Sequence, residues 1–273
     1  MTEKRVWVFK EKKQDNKDEY YNLLIQNNYI PEFIPVLDYE LCNIDILKDI
    51  LSLGPNHEAI TGLILTSQKS VHTLNKACGL LDVIPEPIRT QWAQLPVYIV
   101  GPQTEQLLAR SSLFQKNSRW IQAPNAAQLV QPMIADISQH SAKKDGRLLF
   151  LAGDKRRDLI PQALDKANIP FRELQSYATC AHPDLLNRLR TLETQDDAHW
   201  AVYFSPSGLK FIKSSLPTSK LLLSSNKIKI AAIGPTTADY IKQLNLFVHV
   251  VAEKPDPQHL INAIVQFDGN CAS

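Results

Sequence analysis

Apolar positions gather in short runs of strand length: VWVF (6–9), FIPVL (33–37), GLILT (62–66), VYIVG (97–101), RWIQA (119–123), RLLFLA (147–152), FRELQSY (171–177), WAVYF (200–204), IKIAAIG (228–234) and VHVVA (248–252). Most are β-branched or aliphatic. Between them lie stretches of helical periodicity, such as DLIPQALDKA (158–167). Strand and helix alternating at this spacing predict parallel α/β units.

The ten runs form two sets of five that correspond. VWVFKEKK answers LLFLAGDKRR; PEFIPVLDYE (31–40) answers IPFRELQSYA (169–178), with Phe33 matching Phe171 and Tyr39 matching Tyr177. LTSQKSV (65–71) answers FSPSGL (204–209), with Ser67 matching Ser205, and VYIVGPQTEQLL (97–108) answers IAAIGPTTADYI (230–241). The chain is a diverged tandem duplication with an offset of about 133–142 positions. Two topologies satisfy it. Each repeat folds alone, giving domains 1–140 and 145–273, or the first two strands of repeat one join the last three of repeat two.

Each repeated strand–turn–helix puts small polar residues where helix N–H groups are unpaired, a setting that favours anions. Open α/β sheets bind ligands at this end of their strands. The turn residues are Thr66 and Ser67, Gly101 and Thr104, Ser205, Ser207 and Gly208, and Gly234, Thr236 and Thr237. Such hydroxyls also cap helices with no ligand present, a role worth about 0.5–2 kcal/mol each. The fourfold recurrence, not any one turn, points to a ligand. GDKRRDL (153–159) sets Lys155, Arg156 and Arg157 at a predicted helix start, against the dipole, where either an anionic partner or plain solvation explains them. His182-Pro183-Asp184 predicts another helix start, with Pro in an early turn. No Ser/His/Asp or paired-carboxylate constellation stands out, and neither GxxxxGK[ST] nor GxGxxG is present.

Composition narrows the classes. The 273 residues suffice for two compact domains, with 44% apolar and 21% charged positions. A net charge of +2 without a Lys/Arg block gives no support for nucleic-acid binding. Cys42, Cys78, Cys180 and Cys271 form no CxxC and read as reduced thiols of a cytoplasmic protein. The N-terminus does not read as a signal peptide, no run reaches a membrane span of roughly 18–20 apolar residues, and the seven His lack metal-ligand spacing. A monomer without metal, membrane or nucleic-acid partner is expected.

AAIGPTTA (231–238), FSPSGL (204–209), SYATCAHPD (176–184), GDKRRDLIPQAL (153–164) and the opening VWVFKEKK…YIPEFIPVLDYE, in this relative order, resemble the uroporphyrinogen-III synthase family. The similarity covers nearly the whole chain and looks closest to the eukaryotic branch. The resemblance implies an α/β fold of two similar doubly wound parallel-sheet (flavodoxin-like) domains, joined by a two-stranded linker, with the substrate in the cleft between them. It implies a discontinuous domain of residues 1–38 and 181–273, an inserted domain of 42–176, and linker segments 39–41 and 177–180. The implied substrate is hydroxymethylbilane, a linear tetrapyrrole with an acetate and a propionate on each ring. The implied reaction loses water and closes the macrocycle with the last pyrrole ring inverted, through a spiro intermediate, with no cofactor or metal.

Tyr177 sits in the family's SYAT-like position and is the catalytic candidate: a phenol can hydrogen-bond the departing hydroxyl. Thr66, Ser67, Gly101, Thr104, Arg157, Ser205, Ser207, Gly208, Thr236 and Thr237 are the substrate-binding candidates. Lys69 joins them as a departure, because relatives often carry Pro-Arg where this chain has Gln68-Lys69. Lysine keeps the charge but loses the bidentate fork. The rival readings are a non-catalytic two-domain anion-binding or sensor protein and, less well supported, a nucleotide- or flavin-dependent α/β enzyme.

Overall fold

The computed structural model describes residues 4–13, 18–81, 83–114, 119–140, 146–155, 158–195, 198–222 and 228–270. Among them, the first third of the chain forms β1 (Lys4–Phe9), α1 (Glu19–Gln26), β2 (Tyr29–Phe33), β3 (Leu37–Leu41), α2 (Ile44–Leu53), β4 (Ile60–Leu65), α3 (Gln68–Gly79) and α4 (Glu86–Gln94). The middle forms β5 (Val97–Val100), α5 (Pro102–Leu108), β6 (Trp120–Ala123), α6 (Ala126–His140), β7 (Arg147–Gly153), α7 (Leu159–Lys166) and β8 (Phe171–Ala181). Then follow α8 (Leu185–Thr194), β9 (Trp200–Tyr203), α9 (Pro206–Ser215), β10 (Lys229–Ala232), α10 (Pro235–Gln243), β11 (Val250–Val251) and α11 (Pro257–Asn270).

The chain divides into two compact units: Met1–Tyr39 with Cys180–Ser273, and Glu40–Thr179. The discontinuous unit holds a sheet in the order β11-β10-β9-β1-β2, every pair parallel. Numbered along the chain within that unit, this is the flavodoxin-like order. The inserted unit holds β3-β8-β7-β4-β5-β6, with the ladders from β8 to β6 all parallel. Its last two parallel strands, β7 and β8, take the places that β1 and β2 hold in the other sheet. The same order has been kept with the chain start moved by two strands. Of the two topologies the duplication allowed, the first two strands of repeat one join the last three of repeat two.

Parallel strands covered on both faces should read as continuous apolar runs, and they do: β7 is buried from Leu148 to Gly153 and β9 throughout. Alternate side chains feed two cores. In the inserted sheet Leu63, Leu65, Val97, Ile99, Leu149 and Leu151 face α2 and α3, while Ile64, Tyr98, Leu148, Phe150 and Ala152 face α6 and α7. In the other sheet Trp7, Phe9, Ala201 and Tyr203 face α8 and α9, and Val6, Val8, Trp200 and Val202 face α11. Burying each such large apolar side chain contributes about 1.5–3 kcal/mol.

Two strand expectations need correction. FIPVL is not a strand: β2 ends at Phe33 and β3 begins at Leu37. Pro35 offers no N–H for a ladder, and Ile34 and Val36 instead plug a core, 2% and 3% exposed. VHVVA yields only a two-residue β11, although His249 and Ala252 extend its pairing with backbone bonds to Ile230 and Ala232.

Candidate functional site

In the inserted unit the carboxyl ends of β8, β7, β4 and β5 lie in a row. This edge presents Tyr177, the last residue of β8 paired with β7, then Gly153-Asp154-Lys155, then Thr66-Ser67, then Gly101. The chain leaves β7 and β4 toward opposite edges of the sheet, so this row contains the topological switch point where open α/β sheets bind ligands. Ser67 is extended and caps α3: its Oγ accepts the Lys69 N–H at 3.2 Å. Gly101, at φ +87, starts α5 in a backbone conformation that a side chain would strain, and Pro102 occupies the first helical position. Gln68 Nε2 donates to Gln103 Oε1 at 2.8 Å, joining the two helix starts. Thr104 is 4% exposed within the first turn of α5, so it lines the turn from inside and is not the cap. The Lys69 ammonium stands 5.4 Å from the centroid of the half-buried Tyr177 ring, a cation–π contact.

The discontinuous unit repeats the pattern. Ser205 follows β9 and caps α9, its Oγ accepting the Gly208 N–H at 3.1 Å, with Pro206 first in the helix. Ser207 is half-buried and Gly208 buried. After β10, Gly234 is extended, Pro235 opens α10, Thr236 is exposed and Thr237 is 4% exposed. Thr104 and Thr237 therefore hold the same place in the two units. At the end of β1, Lys10 also reaches the carboxyl edge, but Asp18, the cap of α1, holds its ammonium at 2.6 Å. Burial pushes the Asp18 carboxyl up; the Lys10 bond and charge and the N–H groups of Lys13 and Tyr21 outweigh this and leave it below the usual range.

Other expected positions fall elsewhere. Arg157 and Arg156 lie outside the described residues. Lys155 sits in the turn after β7, and α7 begins only at Leu159 with Asp158 at its cap, so the cation does not lie on the helix start. The helix expected at His182 begins at Leu185; Pro183 precedes the cap position, and His182 Nδ1 accepts the Asp184 N–H at 3.2 Å.

At the opposite, amino edge of the inserted sheet, a cavity of about 200 Å³ is lined by residues including Ile60, Tyr98, Arg119, Asp136, His140 and Leu148. Its polar groups satisfy one another. Asp136 accepts the Tyr98 hydroxyl at 2.8 Å and Arg119 Nη2 at 2.6 Å, with His140 Nδ1 at 3.2 Å. Burial pushes the Asp136 carboxyl up, but these donors and the Arg119 charge hold it below its usual value, while burial and Asp136 push the Tyr98 phenol up. That is the chemistry of a structural clasp.

A family model described as "Uroporphyrinogen-III synthase HemD" matches residues 18–262. The chain belongs to the uroporphyrinogen-III synthase family. The uroporphyrinogen-III synthase of Saccharomyces cerevisiae is 34% identical over 244 residues, 86% of either chain. That of Schizosaccharomyces pombe is 31% identical over 239 residues, again 86% of either chain. The fold is similar to that of uroporphyrinogen-III synthetase from Helicobacter pylori, with a TM-score of 0.53, 15% identity, and coverage of 97% of this chain and 99% of that one.

Within this uroporphyrinogen-III synthase framework, sequence reasoning missed the residues beneath Tyr177. Ser70, Thr73 and Ser176 are fully buried. Ser70 Oγ donates to Leu151 O at 2.8 Å, Thr73 Oγ1 to Ser176 O at 2.6 Å, and Ser176 Oγ to Ala152 O at 3.0 Å. A signal was present: Ser70 and Thr73 interrupt the face of α3 that Val71, Leu74, Ala77 and Cys78 make apolar. Hydroxyls there need a buried partner.

Proposed function

We propose that this chain cyclises hydroxymethylbilane to uroporphyrinogen III, as a lyase of tetrapyrrole and haem biosynthesis. The supporting observation is the pair of carboxyl edges, each lined by helix starts, hydroxyls and backbone N–H groups with few titrating side chains. Such edges suit a ligand whose every ring carries two carboxylates. Thr66, Ser67, Lys69, Gly101 and Thr104 serve one edge; Ser205, Ser207, Gly208, Thr236 and Thr237 serve the other. Arg157 is a further candidate by its charge. The Tyr177 phenol hydrogen-bonds the substrate hydroxyl; the C–O bond breaks, the pyrrole carbon that closes the ring gives up its proton, hydroxide and that proton leave as water, and the macrocycle closes with the last ring inverted.

The sparse acid–base machinery fits the task. The substrate also closes unaided to the non-inverted isomer, so the protein must favour one route. A thousandfold preference takes about 4 kcal/mol, within reach of holding a flexible chain in one reactive arrangement. The decisive assay supplies freshly made hydroxymethylbilane and identifies the ring isomer. Uroporphyrinogen III formed well above the spontaneous rate is expected. The non-inverted isomer alone, at the spontaneous rate, would leave a non-catalytic anion-binding protein. A monomer in the cytoplasm, without nucleic acid, is part of the proposal and is supported by the ordinary charge balance. Among the described residues no helix is long and apolar enough to cross a membrane. Light scattering at assay concentration tests the monomer.

A further inference from the structure

Leu149 and Leu151 of β7 face α3, and side chains alternate along a strand, so Gly153 shares that face. The β7–β8 ladder runs in register from Leu148↔Phe171 to Ala152↔Gln175; the next pair is Gly153↔Tyr177. Ser176 has been passed over. In an unbroken ladder Ser176 would oppose Gly153 and Tyr177 would point to the other face, since a one-residue slip reverses every side chain beyond it. The extra residue is a β-bulge, a feature that re-aims the side chains after it.

Everything around Ser176 holds the bulge. Its hydroxyl bonds Ala152 O at 3.0 Å and lies 3.2 Å from Ser70 Oγ. Its carbonyl, displaced from the ladder, accepts Thr73 Oγ1 at 2.6 Å and, on the other side, the Cys42 N–H at 2.9 Å. The redirected Tyr177 ring then lies directly on Gly153. A Cβ there would come within 2.5 Å of the ring Cε2 and of the hydroxyl oxygen. Gly153 does not need its small size for a left-handed backbone; the ring above it needs the space.

We infer that the bulge at Ser176, held by Ser70 and Thr73 and seated on the bare backbone of Gly153, aims the Tyr177 phenol. Ser70, Thr73, Gly153 and Ser176 are thus positioning residues for the reaction. The inference rests on Tyr177 acting as the donor.

The test measures kcat and KM on freshly made hydroxymethylbilane, the isomer ratio of the product and the melting temperature. The variants are Gly153→Ala, Thr73→Val, Thr73→Ser and Tyr177→Phe, plus Gly153→Ala and Thr73→Val each combined with Tyr177→Phe. A displacement of about 1 Å at a reacting group can lower a rate about a hundredfold. Gly153→Ala is therefore expected to lower kcat at least tenfold, and Thr73→Val about fivefold, with KM changed less than about twofold. Thr73→Ser should restore the rate. On top of Tyr177→Phe neither change should lower kcat further, because groups acting through one another are not additive. An equal loss in both backgrounds overturns the inference, as does full activity of Thr73→Val. Should Gly153→Ala fail to fold, the Thr73 series decides. Unchanged turnover in Tyr177→Phe alone rejects the parent reading instead, and is told apart by that single variant.

Discussion

The two units share a scaffold and differ in one corner. Both carry a serine cap after the strand beside the switch point, a buried threonine in the next helix start, and an aspartate on the helix after the edge strand, α6 or α11, that clasps the amino edge of the sheet. Where the inserted unit places the Ser70–Ser176 hydroxyl pair under a tyrosine, the other unit places Gly208 against Val36 and stacks Tyr203 on Phe9 at 4.8 Å. One corner is polar and aims a phenol at the carboxyl edge. The other is apolar and buries its phenol, whose hydroxyl finds no partner among the described residues. The two copies of the duplicated scaffold thus share their helix starts and differ in the corner that, in one of them, holds the proposed donor.

The sharpest way to break this contrast is to remove each phenol in turn. Tyr177→Phe should lower turnover on the order of a hundredfold at unchanged melting temperature, as loss of a positioned proton donor does. Tyr203→Phe should leave turnover intact and, by removing an unsatisfied buried hydroxyl, leave stability equal or higher by about 1 kcal/mol. Steady-state kinetics and denaturant titration check both.

The clasps come next. Asp268 is 6% exposed at its side chain and accepts Tyr29, Trp200 and Lys229, the last at 2.6 Å; Asp136 is more open, at 15%. Asp268→Ala should cost about 3 kcal/mol by stranding a partly buried cation, and Asp136→Ala about half as much. Burial raises the Asp268 carboxyl, yet the bonds from Lys229, Tyr29 and Trp200 hold it below its usual value, as the donors around Asp136 do there. A carboxylate depressed in the folded state stabilises it fully above its unfolded value, about pH 4, and loses that contribution as pH falls through the depressed one. Wild-type stability should therefore drop on acidification below about pH 4, and Asp268→Asn together with Asp136→Asn should flatten that limb.

Smaller effects separate binding from capping. Thr237→Ala and Thr104→Ala should each weaken apparent substrate affinity severalfold, because neither hydroxyl sits at the cap position. Ser67→Ala and Ser205→Ala remove true caps and should each cost about 1 kcal/mol of stability. Finding the serines to matter for binding alone would reverse this assignment.

Much of the scaffold was legible in the chain. The strand runs near residues 62–66, 97–101, 147–152, 200–204 and 228–234 stand out because central parallel strands are apolar on both faces. The Ser and Thr turns were equally visible, since they recur in the same order in both repeats. FIPVL misled because Ile34 and Val36, on either side of Pro35, have the composition of a strand but fill a core where the proline interrupts the ladder. The bulge escaped because nothing in FRELQSYA marks where the ladder slips. Only the pairing with β7, distant in sequence, reveals Ser176 as the extra residue. Thr104 and Thr237 stand out in the sequence, but not their place at the third residue of the helix, inside the first turn and beyond the cap.

The exchange of strands between repeats also sets a timetable for synthesis. β1 and β2 leave the ribosome before the other strands, yet the second neighbour of β1 is β9, which begins more than 160 residues later. At roughly 5–20 residues per second that wait lasts on the order of 10–30 s. The inserted unit can close in the interval, because all its strands are by then available. β1 has β2 on one side from the start and waits for β9 on the other, so a nascent chain carries one finished sheet and one open edge of β1.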